Sequence, residues 1–402
     1  MPMNITYTKD QIDLPGTYTK PSAGFALFHQ STLNDVFGLK GLSATAGIRF
    51  DYERTKIDYF TESRGAEVSI MPKGPFPGNW PMVVNGDTTM QGGFSKSFTK
   101  ILPKFALKYQ PAETAFIYLS ASKGYKTGGY NEQSFSQILQ NSLMESLMRN
   151  AMKGMPARPG GGGGGAPVSP PPAVQKLTLE EQLSYDPEMS WTYELGGRCE
   201  MFERRLSATF AFFYTQVDNI QIIQLLDQGR AGRIVTNAGK SESKGAELSL
   251  RYNPTKNFTL FTEYGFAEAK FKNYESDDVD YSGNYIPFAP QHTLSVGATY
   301  VYNFKYGSFI DRLITSVQYT GAGKIYWTED NSVYQPFYGL TNANIMVEKG
   351  SFGLELWGKN IFNTKYNSFY FHASDMAGNE NAFVQRGYPT RVGATLRYTL
   401  SR

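Results

Sequence analysis

Six apolar or aromatic residues, Leu42, Ala44, Ala46, Ile48, Phe50 and Tyr52, alternate without interruption with Ser43, Thr45, Gly47, Arg49, Asp51 and Glu53. Successive side chains of a strand point to opposite faces, so this segment has one apolar face and one small or charged face. Wound as a helix, it would scatter the six apolar residues around its circumference. The pattern returns at 245–252, 352–359 and 391–400, each time with ionisable residues on the second face. A soluble sandwich built from such strands would bury many unpaired charges, which is costly. A membrane barrel has lipid on one side of its wall and a wet lumen on the other, so it accommodates both faces.

Composition supports the same reading. Of 402 residues, 19% are charged and 15% aromatic, with 27 Tyr and 28 Phe, yet the mean hydropathy is −0.39. No run of about 18 apolar residues, the minimum for a membrane helix, is present. A net charge of +3 is too mild to argue for nucleic acid. Cys199 is the only cysteine, which excludes an internal disulfide framework and a multi-thiolate metal site. The opening MPMNITYTKDQIDLPG carries neither the basic region nor the apolar core of a secretory signal.

The connections alternate in length. Short polar turns fall at 34–41, 110–113, 202–205, 253–257, 303–311 and 348–351. Longer ones fall at 61–93, 131–184, 220–232, 272–290, 324–335 and 367–382. Short periplasmic turns and long external loops are the usual asymmetry of outer-membrane barrels, and Tyr109, Tyr252, Tyr300, Tyr302 and Tyr398 sit beside the short turns, where an aromatic girdle belongs. The pattern predicts about thirteen strands, starting near 24, 42, 95, 114, 186, 205, 233, 258, 291, 312, 335, 351 and 384. Bacterial barrels usually have an even strand number with both ends periplasmic. The odd count creates the expectation that residues 1–402 are the C-terminal part of a larger barrel domain. The competing expectation is that residues 3–18 supply one more strand, closing a passive porin or structural barrel of about 14 strands.

The connection 131–184 opens with Ile138, Leu139, Leu143, Leu147 and Met148 at helical spacing. Glycines 160–165 and Pro170–Pro172 follow, a flexible and then stiffer linker. It reads either as a surface loop or as a lid helix whose apolar side covers a ligand or a partner surface lipoprotein.

Several segments, in this order, resemble one family. SKGYKTGGYN (122–131) ends a strand and YDPEMSWTYELGGRCEMFERRLSATFAFFYTQVDNIQI (185–222) follows as a hairpin. NAGKSESKGAELSLRY (237–252), WGKNIFNTKYN (357–367) and GYPTRVGATLRYTL (387–400) complete the set. Together they resemble the C-terminal barrel portion of a TonB-dependent outer-membrane receptor of the siderophore-receptor class. The resemblance implies an all-β transmembrane antiparallel barrel of about 22 strands with a plugged lumen. It implies uptake of a scarce ligand, a ferric siderophore first among them, in the outer membrane of a Gram-negative cell. The implied partners are outer-membrane lipid, the barrel-assembly machinery, and the TonB–ExbB–ExbD system acting through a plug. The sequence departs from the family pattern: it has no signal peptide, plug-like segment or TonB box, lacks about nine strands of that barrel, and ends Thr399-Leu400-Ser401-Arg402 rather than on an aromatic.

The physical roles of these segments are structural. Pro187 and Glu188 open a strand, where proline costs no central ladder bond. Gly239 and Gly245 let the backbone bend or approach a plug. Asn360 and Asn363 mark a strand end whose side chains bond nearby backbone.

No enzyme chemistry is legible. His29, His292 and His372 form no HxxxH or HExxH pair, the six glycines lack a following Lys-Ser/Thr, and there is no GxSxG. No resident cofactor is expected. DDVDYSG partly copies a calcium loop through Asp278, Asp280 and Ser282, but Ala289 stands where the bidentate Glu belongs, so a solvated acidic loop is the competing reading. Ligand contacts in this architecture are expected from Trp327 and Tyr334 in one external loop, and from Tyr370, His372 and Phe383 around the last. The alternative role of these aromatics is anchoring at the outer lipid boundary.

Overall fold

The computed structural model describes residues 3–8, 13–72, 81–154, 178–225, 233–276, 278–374 and 380–400. The loop tips at 73–80, 226–232 and 375–379, and the linker with its glycines 160–165 and Pro170–Pro172, lie outside the described residues. One antiparallel sheet dominates. Its wall runs through β1 (Ser22–Asn34), β2 (Leu42–Pro72), β3 (Met82–Ala112), β4 (Ala115–Lys126), β5 (Glu188–Met201) and β6 (Leu206–Asp218). It continues through β7 (Lys240–Thr255), β8 (Phe258–Asn273), β9 (His292–Asn303), β10 (Arg312–Gly323), β11 (Tyr338–Lys349), β12 (Phe352–Lys359) and β13 (Arg391–Tyr398). Each strand pairs with the next in sequence, so β1 and β13 run in the same direction.

The register explains the alternation. On one face a row runs Leu33, Ala44, Leu107, Leu119, Leu195, Phe212, Ala246 across seven strands. Leu260, Ala298, Val317 and Ala343 make another, and Ile345, Leu356 and Ala394 a third. Ile48 and Leu356 on this face are 54% and 56% exposed. A continuous exposed apolar band of this extent marks contact with an apolar medium rather than with water. Charge ends it abruptly: Arg54 and Lys56 follow Tyr52 on β2, and Lys244 faces Glu268 where β7 and β8 rise past Ala246 and Phe266.

The opposite face is polar and internally bonded. Arg49 donates to both carboxylate oxygens of Asp51 at 2.6 and 2.7 Å, Asn344 donates to Glu355, and Thr192 meets Thr215 at 3.0 Å. On this face aromatic rings lie over glycines of the neighbouring strand, Tyr59 over Gly92, Tyr118 over Gly196, Phe213 over Gly245, Phe261 over Gly297 and Trp357 over Gly393, and on the apolar face Tyr319 lies in the same way over Gly339. A Cβ on any of these glycines would stand under 3.0 Å from the ring or, at Gly92, from the Tyr59 hydroxyl. Gly245, expected to let the backbone bend or approach a plug, is therefore covered by the wall's own Phe213.

Three expectations need correction. The connection 61–93 is mostly strand, because β2 and β3 continue as a paired extension to Pro72 and from Met82. The strands expected to start near 233 and 384 begin at Lys240 and Arg391. The residues before them belong to separate two-stranded ladders, Gln221–Leu225 with Arg233–Asn237 and Asn367–Ser374 with Glu380–Arg386. Among the described residues of 3–18 no further wall strand is found: Met3–Tyr7 and Gly16–Thr19 pair with the upper part of β2, beyond the reach of β1.

On the extension, the apolar residues change faces. Ile57 and Tyr59 follow the parity of Arg49 and Asp51, and a bulge at Arg64–Gly65 keeps Ser63 and Ala66 on one side, so Ala66, Val68 and Ile70 continue that face. Helix α1 (Ser134–Gly154) lies on them. Leu143, Leu147 and Ala151 pack against Ala66, Val68, Ile70 and Val84, while Phe135 joins Ile57, Tyr59, Tyr130 and Leu183. Gly86 admits the helix closely, since a Cβ there would meet Leu147 at 2.8 Å. Leu139, Leu143 and Leu147, in a segment read from sequence as either a surface loop or a lid helix, are thus buried, Leu143 and Leu147 against the chain's own hairpin, each contributing about 1.5–3 kcal/mol.

Candidate functional site

The loops that rise from β8–β9, β10–β11 and β12–β13 converge. Asn331 holds the second to the first: its Oδ1 accepts the Tyr285 N–H at 2.7 Å and its Nδ2 donates to the Tyr285 carbonyl at 2.9 Å. Asn284 adds a bond from Nδ2 to the Glu329 carbonyl at 2.9 Å. The left-handed backbone at Asn331 (φ 59°) suits an asparagine and lets one short side chain pair with both backbone groups. Between these loops and the last hairpin lies a cleft of about 410 Å³ lined by Tyr281, Glu329, Asp330, Ser332, Tyr370 and Asn381 among others. Asp330 organises its floor, accepting from the Ser332 N–H at 3.1 Å, the Ser332 hydroxyl at 2.9 Å and the Thr328 hydroxyl. Burial works to raise its pKa, but these hydrogen bonds outweigh burial and hold the carboxyl below its ordinary value.

The five aromatic candidates are divided by the structure. Trp327 is buried, and a chain of ring contacts runs from it through Phe288, Phe369 and Phe371 to Phe383, at centroid distances of 5.5, 5.6, 5.9 and 4.9 Å. The Trp327 indole N–H is buried and has no acceptor among the described residues. Tyr370 pairs with Val384 and stands on the other face of its hairpin from Phe383, towards the cleft. His372 pairs with Ala382 in backbone register, and its side chain lies outside the described residues. Tyr334 belongs to a separate group: Lys324 Nζ stands 3.9 Å from its ring and 4.5 Å from that of Tyr326, which stacks on Tyr285 at 5.1 Å. The Lys324 pKa is raised, chiefly by its hydrogen bond to the Tyr326 hydroxyl.

Asp330, Ser332, Tyr281 and Lys324 were not picked out by sequence reasoning. The available signal was the density of Tyr, Trp and small polar residues over 281–335, which marks a structured loop without saying which side chains turn inward. The calcium-like segment has another use for its ligands. Asp280 accepts the Ser282 N–H at 2.8 Å, and the Ser282 hydroxyl accepts the Tyr274 N–H at 3.2 Å. The Ser282 hydroxyl first and its N–H second depress the Asp280 pKa. No group of three His, Cys, Asp or Glu side chains placed to hold a metal ion occurs among the described residues.

A second depression, of about 390 Å³, opens on the polar face of β6–β9, with Glu247 and Glu263 among Thr209, Ser249, Thr293 and Ser295. The rim above it is held by a polar knot around β5. Asp186 N–H donates to Asn237 Oδ1 at 2.7 Å, Gln221 Nε2 donates to the carbonyls of Thr127 and Asp186, and Glu188 accepts the Gln221 N–H at 2.7 Å. At the last corner, buried Asn360 bonds the backbone of Thr364 and Tyr388, as its position at a strand end predicts.

Residues 3–363 match the family model described as TonB dependent receptor-like, beta-barrel. Among curated proteins, the probable TonB-dependent siderophore receptor PiuA of Acinetobacter baumannii is 24% identical over 161 residues, 38% of this chain and 20% of that protein. Among solved structures, the ferric yersiniabactin uptake receptor FyuA of Yersinia pestis superposes with a TM-score of 0.65 at 18% identity, covering 96% of this chain and 47% of that one. The closed form of the ferric-catecholate import receptor Fiu of E. coli K12 gives 0.58 at 17% identity, covering 95% and 45%. The chain thus spans just under half the length of these two structures, with which it shares a fold.

Proposed function

The chain belongs to the TonB-dependent receptor β-barrel family, and from that premise we propose that it forms wall and external loops of a receptor for energised uptake of a ferric siderophore across the outer membrane of a Gram-negative cell. The observation that carries this is the division of each strand. An apolar band is exposed on one face, a bonded polar lining occupies the other, and the band ends where the aromatic-rich loops begin. On this reading the loop cleft lies outside the cell and the acidic depression in the lumen. The work is transport, with energy reaching the ligand through TonB. Barrel-assembly machinery and outer-membrane lipid are the other partners this reading requires.

The rival reading, a passive barrel of about 14 strands, loses support from the position of residues 3–19. Met3–Tyr7 and Gly16–Thr19 lengthen the β2 edge above the band instead of crossing it. Because β1 and β13 run in the same direction, antiparallel closure takes an odd number of further strands, which suits a barrel of about 22.

The test is growth of a receptor-deletion strain on chelated iron, complemented by the full-length protein. Complementation is expected, together with its loss when TonB is deleted. Uptake that persists without TonB sinks the proposal and favours the passive barrel.

A further inference from the structure

The apolar face is not uniformly filled. On β2, Ala44 and Ala46 follow one another between larger neighbours: Leu33 and Leu107 flank Ala44, and Phe105 rises beside Ala46. A groove of about 460 Å³ runs here, bordered further along by Leu119 and Tyr193. Leu33 and Phe105 are 69% and 54% exposed, so they stand as walls above an alanine floor. Ile48 and Leu42 follow and precede the two alanines on the same face of β2.

We propose that this groove holds an acyl chain of a glycerophospholipid from the leaflet on the short-turn side of the wall. The proposal rests on the membrane placement of the band and is independent of which ligand the loops take. Two observations select this occupant. The groove is continuous with the band already in contact with hydrocarbon, so an apolar, membrane-resident filler is always at hand. It also opens next to the β1–β2 turn, where Lys40, two residues before Leu42, is exposed and free to meet a lipid phosphate. Within hydrocarbon there is no general hydrophobic drive to bind, so selectivity comes from dispersion contacts that a shaped furrow offers and a flat wall does not.

The full-length protein, reconstituted in vesicles of dioleoyl phosphatidylethanolamine and phosphatidylglycerol, is extracted into mild detergent, gel-filtered, and its phospholipid measured per protein by mass spectrometry. The unaltered protein is expected to retain phospholipid, and Ala46→Phe to retain roughly fivefold less. Ala298→Phe, which adds the same ring on the apolar face of β9, is expected to retain as much as the unaltered protein. Ala44→Val carries the test through a smaller change if Ala46→Phe does not fold, as judged by heat-modifiable migration. Equal retention by the groove variants, equal loss in Ala298→Phe, or no retention by the unaltered protein overturns the proposal. Iron uptake measured on the same variants separates the two readings: lost lipid with intact uptake supports the groove, while failed uptake in the unaltered protein bears only on the receptor.

Discussion

The lower and upper halves of the β2–β3 hairpin are built on the same two strands and solve opposite problems. Between Leu42 and Tyr52 the apolar residues face outward and stay exposed or half-exposed, because their surroundings are apolar. From Ile57 to Ile70 they face the other way and are buried beneath α1, because that part stands in water. The strand pairing passes from one half to the other, interrupted only by the bulge at Arg64–Gly65. Alternation therefore announces a strand, while the phase of the alternation reports the solvent on each side.

This contrast can be broken by placing charge in each half. Leu147→Asp puts a carboxylate under α1 and removes a fully packed side chain. We expect a loss of about 4 kcal/mol in local stability, read as hydrogen exchange over 57–70 and 134–151, with the band unaffected. Ile48→Arg in the lower half should cost about 2–4 kcal/mol of insertion, seen as a smaller membrane-embedded fraction, while α1 keeps its protection. If both variants disturb both halves equally, the halves are not separate environments.

Two smaller tests sharpen the comparison by asking what the loops add. Trp327→Phe removes an indole N–H that has no acceptor among the described residues. Its effect on thermal stability should be within about 1 kcal/mol, against about 3–5 kcal/mol for Trp327→Ala. A large cost for the Phe variant would mean the N–H is bonded after all. Asp330, whose carboxyl is held below its ordinary pKa, stabilises its loop only while ionised. That contribution is present above the unfolded carboxylate value of about 4 and fades as pH falls through the lower folded value. Hydrogen exchange at Ser332 should accelerate over that acid range, and Asp330→Asn should remove most of the dependence.

Most of the wall was legible because its residues repeat one rule. The two misplaced starts, near 233 and 384, show the limit: Arg233–Asn237 and Glu380–Arg386 also form strands, and alternation cannot tell a loop ladder from a wall strand. The upper half of β2–β3 was missed because its apolar phase reverses after Tyr52 and shifts again at Gly65. Without that hairpin, the apolar residues of α1 had no visible partner inside the chain. The loop site was legible as aromatic density alone. Its organising groups, Asp330 and Asn331, act through short bonds to backbone that no spacing rule reveals.

The rings that lie over glycines have a consequence for how the wall is put together. Five of the six named pairs join strands connected by a long loop, β4–β5, β6–β7, β8–β9, β10–β11 and β12–β13; the sixth lies within the continuous β2–β3 hairpin, and Phe210 sits likewise over Gly197 across the short β5–β6 turn. Strands joined by a short turn inherit their alignment from the turn, whereas a long loop leaves many offsets open, and an offset of one residue would turn every side chain to the wrong side. A ring that fits only where the facing residue has no side chain narrows that choice to a single offset. The short-turn hairpins can thus form first, each with its alignment already settled, and then zip together in the one order of matching that lets every ring find its glycine.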